Sequence, residues 1–358
     1  MNRESKERGV KDSWFGEALV AWYDENGRKL PWRETTDPYK IWISEIILQQ
    51  TRVAQGLEFY NRFIERFPDV GTLANASEDE VLRYWEGLGY YSRARNMLKA
   101  ARKIMGMSEF PRDYETLLTL DGIGEYTASA VASISSNQSV AVLDGNVYRV
   151  LSRFCCERVP IDTTEGRKSF RSLANHFLLE GRASVYNQAI MDLGALICTP
   201  RSPLCKECPI ALNCLALKEG MVSELPLKVR KQQQTSRYMT FVEVHSKKKG
   251  WLLHKRVSKD IWRGLHEPVL LESNECMTFA EVENSESLSP FQIGQLSSLR
   301  CVAKHVKHVL THRIIWADYY ILESESDFCP KDFFYTENVD SYAVPVLLKQ
   351  LRGFLKSL

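Results

Sequence analysis

Four cysteines stand within one short stretch, Cys198-x6-Cys205-x2-Cys208-x5-Cys214 in "CTPRSPLCKECPIALNC". Clustered thiols in a reducing compartment point to metal chemistry rather than to disulfides. One Cys-x-x-Cys pair flanked by single cysteines, with no histidine in the loop, suits a four-cysteine iron–sulfur cluster, and zinc or unliganded thiols are the alternatives. Cys155, Cys156, Cys276, Cys301 and Cys329 are scattered and read as packing. A different kind of site is offered by Leu120-Asp121-Gly122-Ile123-Gly124, a tight turn between two helical stretches. Its glycines allow close backbone approach, and the following helix opens with N–H groups suited to a phosphate; an ordinary interhelical corner would look the same. Glu45 lies in "IWISEIILQQ", with Ile41, Trp42, Leu48 and Gln49 on its helical face. A carboxyl buried there would hold its proton toward neutrality, whereas one pointing outward would be a solvated residue of an amphipathic helix. Asp144 follows "VAVL" and precedes Gly145, Asn146 and a helical run, the position of an N-cap.

These groups need elements to hold them. The chain has 358 residues, enough for two domains with separate cores. Its 44% hydrophobic and 26% charged residues are ordinary for a globular protein, and a formal charge of +2 neither announces nor excludes nucleic acid. A local patch, "YSRARNMLKAARK", sets Arg93, Arg95, Lys99, Arg102 and Lys103 on a helical pattern, most simply a solvated face. The opening "MNRESKERGVKDSWFG" lacks the apolar centre of a secretory signal, and no apolar run approaches a membrane span, so a cytoplasmic protein without membrane contact is expected. Helical periodicity predicts helices over 14–25, 38–52, 55–66, 78–86, 91–106, 113–118, 125–136, 145–155, 166–179 and 182–197. After the cysteines, "ELPLKVRKQQQTSRYM" loses the apolar period and reads as a linker. Strands are expected in "TFVEVHS", "GWLLHKR", "EPVLLES" and "RIIWADYYILE", with a helix closing "YAVPVLLKQLRGFL". The expected organisation is a mainly α domain at 1–220, a linker at 221–234 and a smaller α+β domain at 235–358.

Taken together, "LPWR" (30–33), "SEIILQQT" (44–51), "EGLGYYSRARN" (86–96), "LDGIGEYTASAV" (120–131), "VLDGNVYRVLSR" (142–153), "NQAIMDLGALICTP" (187–200) and the cysteine loop resemble the helix-hairpin-helix DNA glycosylases that carry an iron–sulfur loop, and among them the adenine-excising branch. The match runs through most of the first 215 residues in the family's order. The resemblance implies a [4Fe-4S] cluster on Cys198, Cys205, Cys208 and Cys214 that shapes a DNA-binding loop. It makes Glu45 the acid that protonates adenine at N7 and Asp144 the carboxylate facing the sugar, with Tyr126 and Asn146 completing the catalytic set. Breaking an N-glycosidic bond asks for those two roles, a neutral acid for the leaving base and a negative charge for the oxocarbenium-like sugar. Sister enzymes that also cut the strand carry a lysine where this chain has Tyr126, so base removal without strand scission is implied. Leu30, Trp32, Arg33, Leu48 and Gln188 match the adenine pocket. Gln50, Thr51, Leu88 and Tyr90 match the residues that wedge the duplex when the base is flipped out, and Gly122, Ile123 and Gly124 the hairpin that grips the backbone.

The same branch carries a C-terminal domain folded like the Nudix hydrolases, which reads 8-oxoguanine opposite the adenine; 235–358 fits in length and strand content but lacks the spaced arginine and paired glutamates of a hydrolase box. The reading motif corresponds to Leu310, Thr311 and His312, where Leu310 lacks an aromatic ring to stack. The implied partner is double-stranded DNA with adenine opposite 8-oxoguanine or guanine, met by a monomer associated with the nucleoid. The rivals are a thymine or uracil mismatch glycosylase, a lyase-type pyrimidine repair enzyme, and a non-catalytic DNA-binding protein with a zinc loop.

Overall fold

The computed structural model describes residues 4–229, 234–291 and 298–354, and side-chain surroundings from residue 13 onward. Contacts divide the chain into two units, one of residues 1–75 and 96–231, the other of 76–95 and 232–358. The linker read at 221–234 falls partly outside the described residues. Along the chain the helices are α1 (Glu4–Asn26), α2 (Pro38–Leu48), α3 (Val53–Arg66), α4 (Val70–Asn75), α5 (Glu78–Trp85), α6 (Ser92–Ile104), α7 (Tyr114–Leu118), α8 (Glu125–Ser136), α9 (Gly145–Phe154), α10 (Thr164–His176), α11 (Ala183–Leu196) and α12 (Leu215–Lys218). Among the described residues no helix is long and apolar enough to cross a membrane.

In the first unit α2, α8, α9 and α11 pack together at the centre. α2 starts where Asp37 accepts from the Tyr39 N–H at 2.9 Å and Pro38 supplies a first-turn φ. It is apolar on nearly every side, so Ile41, Trp42, Ile43, Ile46 and Ile47 are all buried. The helical run expected over 38–52 stops at Leu48, because Gln50 takes a left-handed φ of 58° and turns the chain into α3. α8 is built from small residues, Ala128, Ala130 and Ala132 among them, which let its neighbours approach closely. Between α7 and α8, Gly122 has φ 75°, and a Cβ there would sit 2.7 Å from Asn96 Cβ. Gly194 on α11 is needed for a related reason: its Cβ would lie 2.7 Å from Asn146 Cβ, so only glycine lets α11 lie against the start of α9. α4 is too short to show a periodic pattern in the sequence.

The second unit is a mixed seven-stranded sheet. Its strands are β1 (Thr235–Ser246), β2 (Gly250–Lys255), β3 (His266–Glu267), β4 (Val269–Ser273), β5 (Ser298–Val309), β6 (Arg313–Ser324) and β7 (Phe333–Thr336). The backbone order is β3-β2-β1-β6-β5, with β4 on β1 and β7 on β2. β1 and β6 run parallel in register from Thr235↔Arg313 to Ser246↔Ser324, and the other pairs are antiparallel. Side chains alternate between two cores. Val242, Val244, Tyr320 and Leu322 pack with Val282 of α13 (Phe279–Glu283). Met239, Phe241, Ile315, Ala317 and Tyr319 pack on Leu347, Leu348 and Leu351 of α14 (Val346–Gly353). Pairing with β6 extends β1 back into polar residues that read as linker. β5 is not recognisable in the sequence, because it is an edge strand with bulges at Cys301/Ala303 and Ala303/Val306 and with Lys304 and Lys307 exposed along it. Residues 76–95 join this unit through polar links: Lys255 Nζ meets Asp79 Oδ1 at 2.5 Å, and Lys349 Nζ meets Glu86 Oε2 at 2.6 Å.

Candidate active site

A cavity of about 430 Å³ in the first unit collects side chains from segments far apart in sequence. Leu30, Trp32 and Arg33 come from the short turn after α1, Glu45 and Leu48 from α2, and Thr51 from the turn beyond it. Tyr126 comes from α8, Asp144 and Asn146 from the start of α9, and Gln188 and Met191 from α11. The four residues expected to do chemistry and the five expected to hold a purine thus line one space.

Glu45 is only 7% exposed. It does not point outward from an amphipathic helix, because α2 has no polar face to offer. The Tyr126 hydroxyl donates to Glu45 Oε2 at 2.6 Å and lies 3.4 Å from Met191 Sδ. Burial lifts the Glu45 carboxyl to about 6, with a further push from Asp144, against the Tyr126 hydrogen bond and the Arg33 charge. Burial and the neighbouring carboxylates keep the Tyr126 phenol protonated far above its usual range. The hydroxyl of Tyr126 is thus engaged by Glu45.

Asp144 caps α9. Its Oδ1 accepts from the Asn146 N–H at 2.9 Å and the Val147 N–H at 2.8 Å, and its Oδ2 accepts from Asn146 Nδ2 at 2.8 Å. Burial raises its carboxyl from the ordinary value, and these donors and Arg149 pull the other way. Asn146 is held in turn by Arg149, whose Nη2 donates to Asn146 Oδ1 at 2.8 Å and whose Nε donates to the Cys198 carbonyl at 2.6 Å.

Several residues here were missed by sequence reasoning. Asp192 is fully buried one turn beyond Gln188 on α11 and is bonded by both Arg28 and Arg33. Tyr23 accepts from Arg33 Nη1 at 3.2 Å and donates to Gln188 Oε1 at 3.4 Å. The signal for Asp192 was in the sequence: a carboxylate inside the apolar "AIMDLGAL" demands a partner. Its partner lies 159 residues away, which no local pattern reveals.

The other expected DNA contacts lie outside the cavity. Gln50 is exposed at its left-handed turn, and Gly122, Ile123 and Gly124 form the hairpin before α8, with Ile123 buried and Gly124 at the N-cap. In the second unit Leu88 is buried, whereas Tyr90 is 44% exposed at φ 46°. These two and Leu310, Thr311 and His312 line a space of about 550 Å³ in that unit. Leu310–His312 form the β5–β6 turn, closed by the Leu310 N–H donating to the Arg313 carbonyl at 2.8 Å; Leu310 packs on the core, and Tyr90 hydrogen-bonds Thr311.

Cys198, Cys205, Cys208 and Cys214 line a separate cavity walled by Val150, Phe154, Ile197 and Ile210. Burial pushes the Cys208 thiol up to about 12, and the other three sulfurs push it in the same direction. Four soft sulfur donors gathered on one apolar cavity fit a group that all four ligate. Arg153 Nη1 donates to Cys198 Sγ at 3.4 Å and to the Thr199 carbonyl at 2.8 Å, which pins the loop to α9. Among the described residues no three His, Cys, Asp or Glu side chains are arranged to hold a single metal ion.

Residues 43–174 match the model of the HhH-GPD superfamily of base excision DNA repair proteins. The chain is 37% identical over 254 residues to adenine DNA glycosylase of Buchnera aphidicola subsp. Schizaphis graminum, covering 70% of this chain and 73% of that one. It is 40% identical over 213 residues to the human protein of that name, covering 56% of this chain and 39% of the human one. Among solved structures, a thermostable thymine-DNA glycosylase aligns with a TM-score of 0.54 at 26% identity, covering 61% of this chain and 100% of that one. With Glu45, Tyr126, Asp144 and Asn146 inside the matched residues 43–174 and the bacterial relative matched along most of its length, this chain belongs to the adenine DNA glycosylase family of the HhH-GPD superfamily.

Proposed function

We propose that the protein removes adenine mispaired with 8-oxoguanine or guanine by hydrolysing its N-glycosidic bond, and that it leaves the abasic strand uncut. The observation that carries this reading is the pair of carboxyls in one cavity roomy enough for a purine, each in a different setting. Asp144 has three N–H donors fixed on it and Glu45 has one hydroxyl, so the negative charge settles on Asp144 and the proton on Glu45. Glu45 then donates its proton to the flipped-out purine, and Asp144 stabilises or attacks the sugar. Leu30, Trp32 and Leu48 offer the base an apolar lining, and Gln188 and Arg33 offer polar groups to its edge. Gln50, Thr51, Leu88 and Tyr90 are assigned to the wedge in the duplex, Gly122–Gly124 to the backbone grip, and Leu310–His312 to the base opposite. Among the described residues that line the cavity there is no lysine, which supports hydrolysis without a Schiff base.

The test is single-turnover base release from oligonucleotides with adenine opposite each base, with borohydride trapping alongside. Release confined to adenine opposite 8-oxoguanine and guanine, with no trapped amine adduct, is expected. Release of thymine instead would favour the activity named for the structural neighbour.

We infer a [4Fe-4S] cluster on Cys198, Cys205, Cys208 and Cys214, since the four thiols line one cavity whose wall holds no histidine. Bound there, it supplies a rigid staple for the 198–214 loop, which Arg149 and Arg153 tie to α9. Purified protein is expected to be brown, with visible absorbance lost on chelation of iron and a lowered melting temperature; colourless protein holding one zinc would overturn the assignment.

A further inference from the structure

Asp192 lies behind the cavity, and its side chain has no solvent exposure. Its Oδ1 accepts from Arg28 Nε at 2.9 Å, from Arg28 Nη2, and from Arg33 Nη2 at 2.7 Å. Its Oδ2 accepts from the Arg28 backbone N–H at 3.0 Å and from Arg33 Nη1 at 2.5 Å. Five donors from two arginines therefore meet one carboxylate. Arg33 passes the arrangement on through the Tyr23 hydroxyl to Gln188. The groups that face Glu45 are Tyr126 from α8, Arg33 from the turn after α1 and Asp144 from the start of α9, and Arg28, Arg52 and Arg149 line the same cavity.

A protein that needs a neutral carboxylic acid has an evident problem with a guanidinium beside it. A positive charge in a low-dielectric pocket favours loss of the proton. We propose that Asp192 is the positioning residue that solves it, by holding Arg33 in a fixed orientation toward the purine while offsetting the positive field of Arg33 and Arg28 at Glu45. This rests on the reading of Glu45 as the acid. Asp192 touches neither base nor sugar; it acts through Arg33 and Tyr23. The two arginines and one aspartate sum to a charge of +1, and the count can be varied in both directions: Arg28→Gln makes the cluster neutral, and Asp192→Asn makes it +2.

The experiment is the pH profile of single-turnover adenine release from a duplex with adenine opposite 8-oxoguanine, for the full chain and this charge series. The limb on which rate falls with rising pH reports loss of the Glu45 proton. It is expected to move to higher pH in Arg28→Gln and to lower pH in Asp192→Asn. On the falling limb, each unit of downward displacement lowers the rate about tenfold. Because the double variant Asp192→Asn with Arg28→Gln restores +1, its limb is expected to return toward that of the parent. A role confined to packing would move melting temperature and leave the limb in place. Should Asp192→Asn not fold, Arg28→Gln carries the test, since its side chain is 27% exposed. A limb that stays fixed, or moves the same way in Arg28→Gln and Asp192→Asn, overturns the inference. Glu45→Gln is run beside them: if it releases adenine within about tenfold of the parent rate, the acid assignment itself has failed, a result distinguishable from a flat charge series.

Discussion

Glu45→Gln is expected to lower adenine release by about 10²–10⁴-fold, the usual contribution of a positioned general acid, with duplex binding retained. The substitution keeps the shape of the side chain and its carbonyl oxygen, so the Tyr126 hydroxyl retains an acceptor. It also removes an ionisable group from a site only 7% exposed, so melting temperature is expected to hold or rise. What is lost is the transferable proton. The parent protein provides the matching sign: a carboxyl lifted to about 6 is protonated below that pH and ionised above it. Acid-dependent release therefore falls as pH rises through about 6, and the falling limb is absent from whatever rate Glu45→Gln retains. A variant within tenfold of the parent rate would remove Glu45 from the mechanism.

Asp144→Asn is expected to separate folding from chemistry. Asparagine caps helices about as well as aspartate, and its oxygen can still accept from the Asn146 and Val147 backbone N–H groups. One contact is lost, because the amide that replaces Oδ2 faces Asn146 Nδ2, a cost of about 1 kcal/mol. The rate is expected to fall much further, by about 10²–10³ or more, since a neutral amide offers no charge to an oxocarbenium-like sugar. Thermal melting and single-turnover release on the same preparation decide the matter. A large loss of melting temperature with a proportionate loss of rate would mean that Asp144 serves only as a cap. The two variants are not expected to be additive, because both carboxyls act in one transition state.

Local chemistry was legible in the sequence. The apolar period marked α2 and α11, Asp37-Pro38 marked a helix start, and the spacing of the cysteines marked a loop that binds something. Gln50 was a harder case. Its left-handed φ breaks the run expected over 38–52, yet nothing in "LQQT" advertises a non-glycine residue there. β5 was missed because an edge strand carrying lysines and bulges has lost the alternation by which strands are recognised.

Types of residue, their helical phase, their caps and their metal-ligand spacing were thus determined by the sequence alone, because each depends on neighbours a few positions away. Which groups meet was decided only by the tertiary structure. Whether Glu45 faces water or a cavity depends on α8 packing against α2. The partner of the Tyr126 hydroxyl, and the capture of Arg28 and Arg33 by Asp192, depend on packing that joins positions 81 to 164 residues apart. A buried charge needs a partner in space, and the energy that enforces this takes no account of distance along the chain.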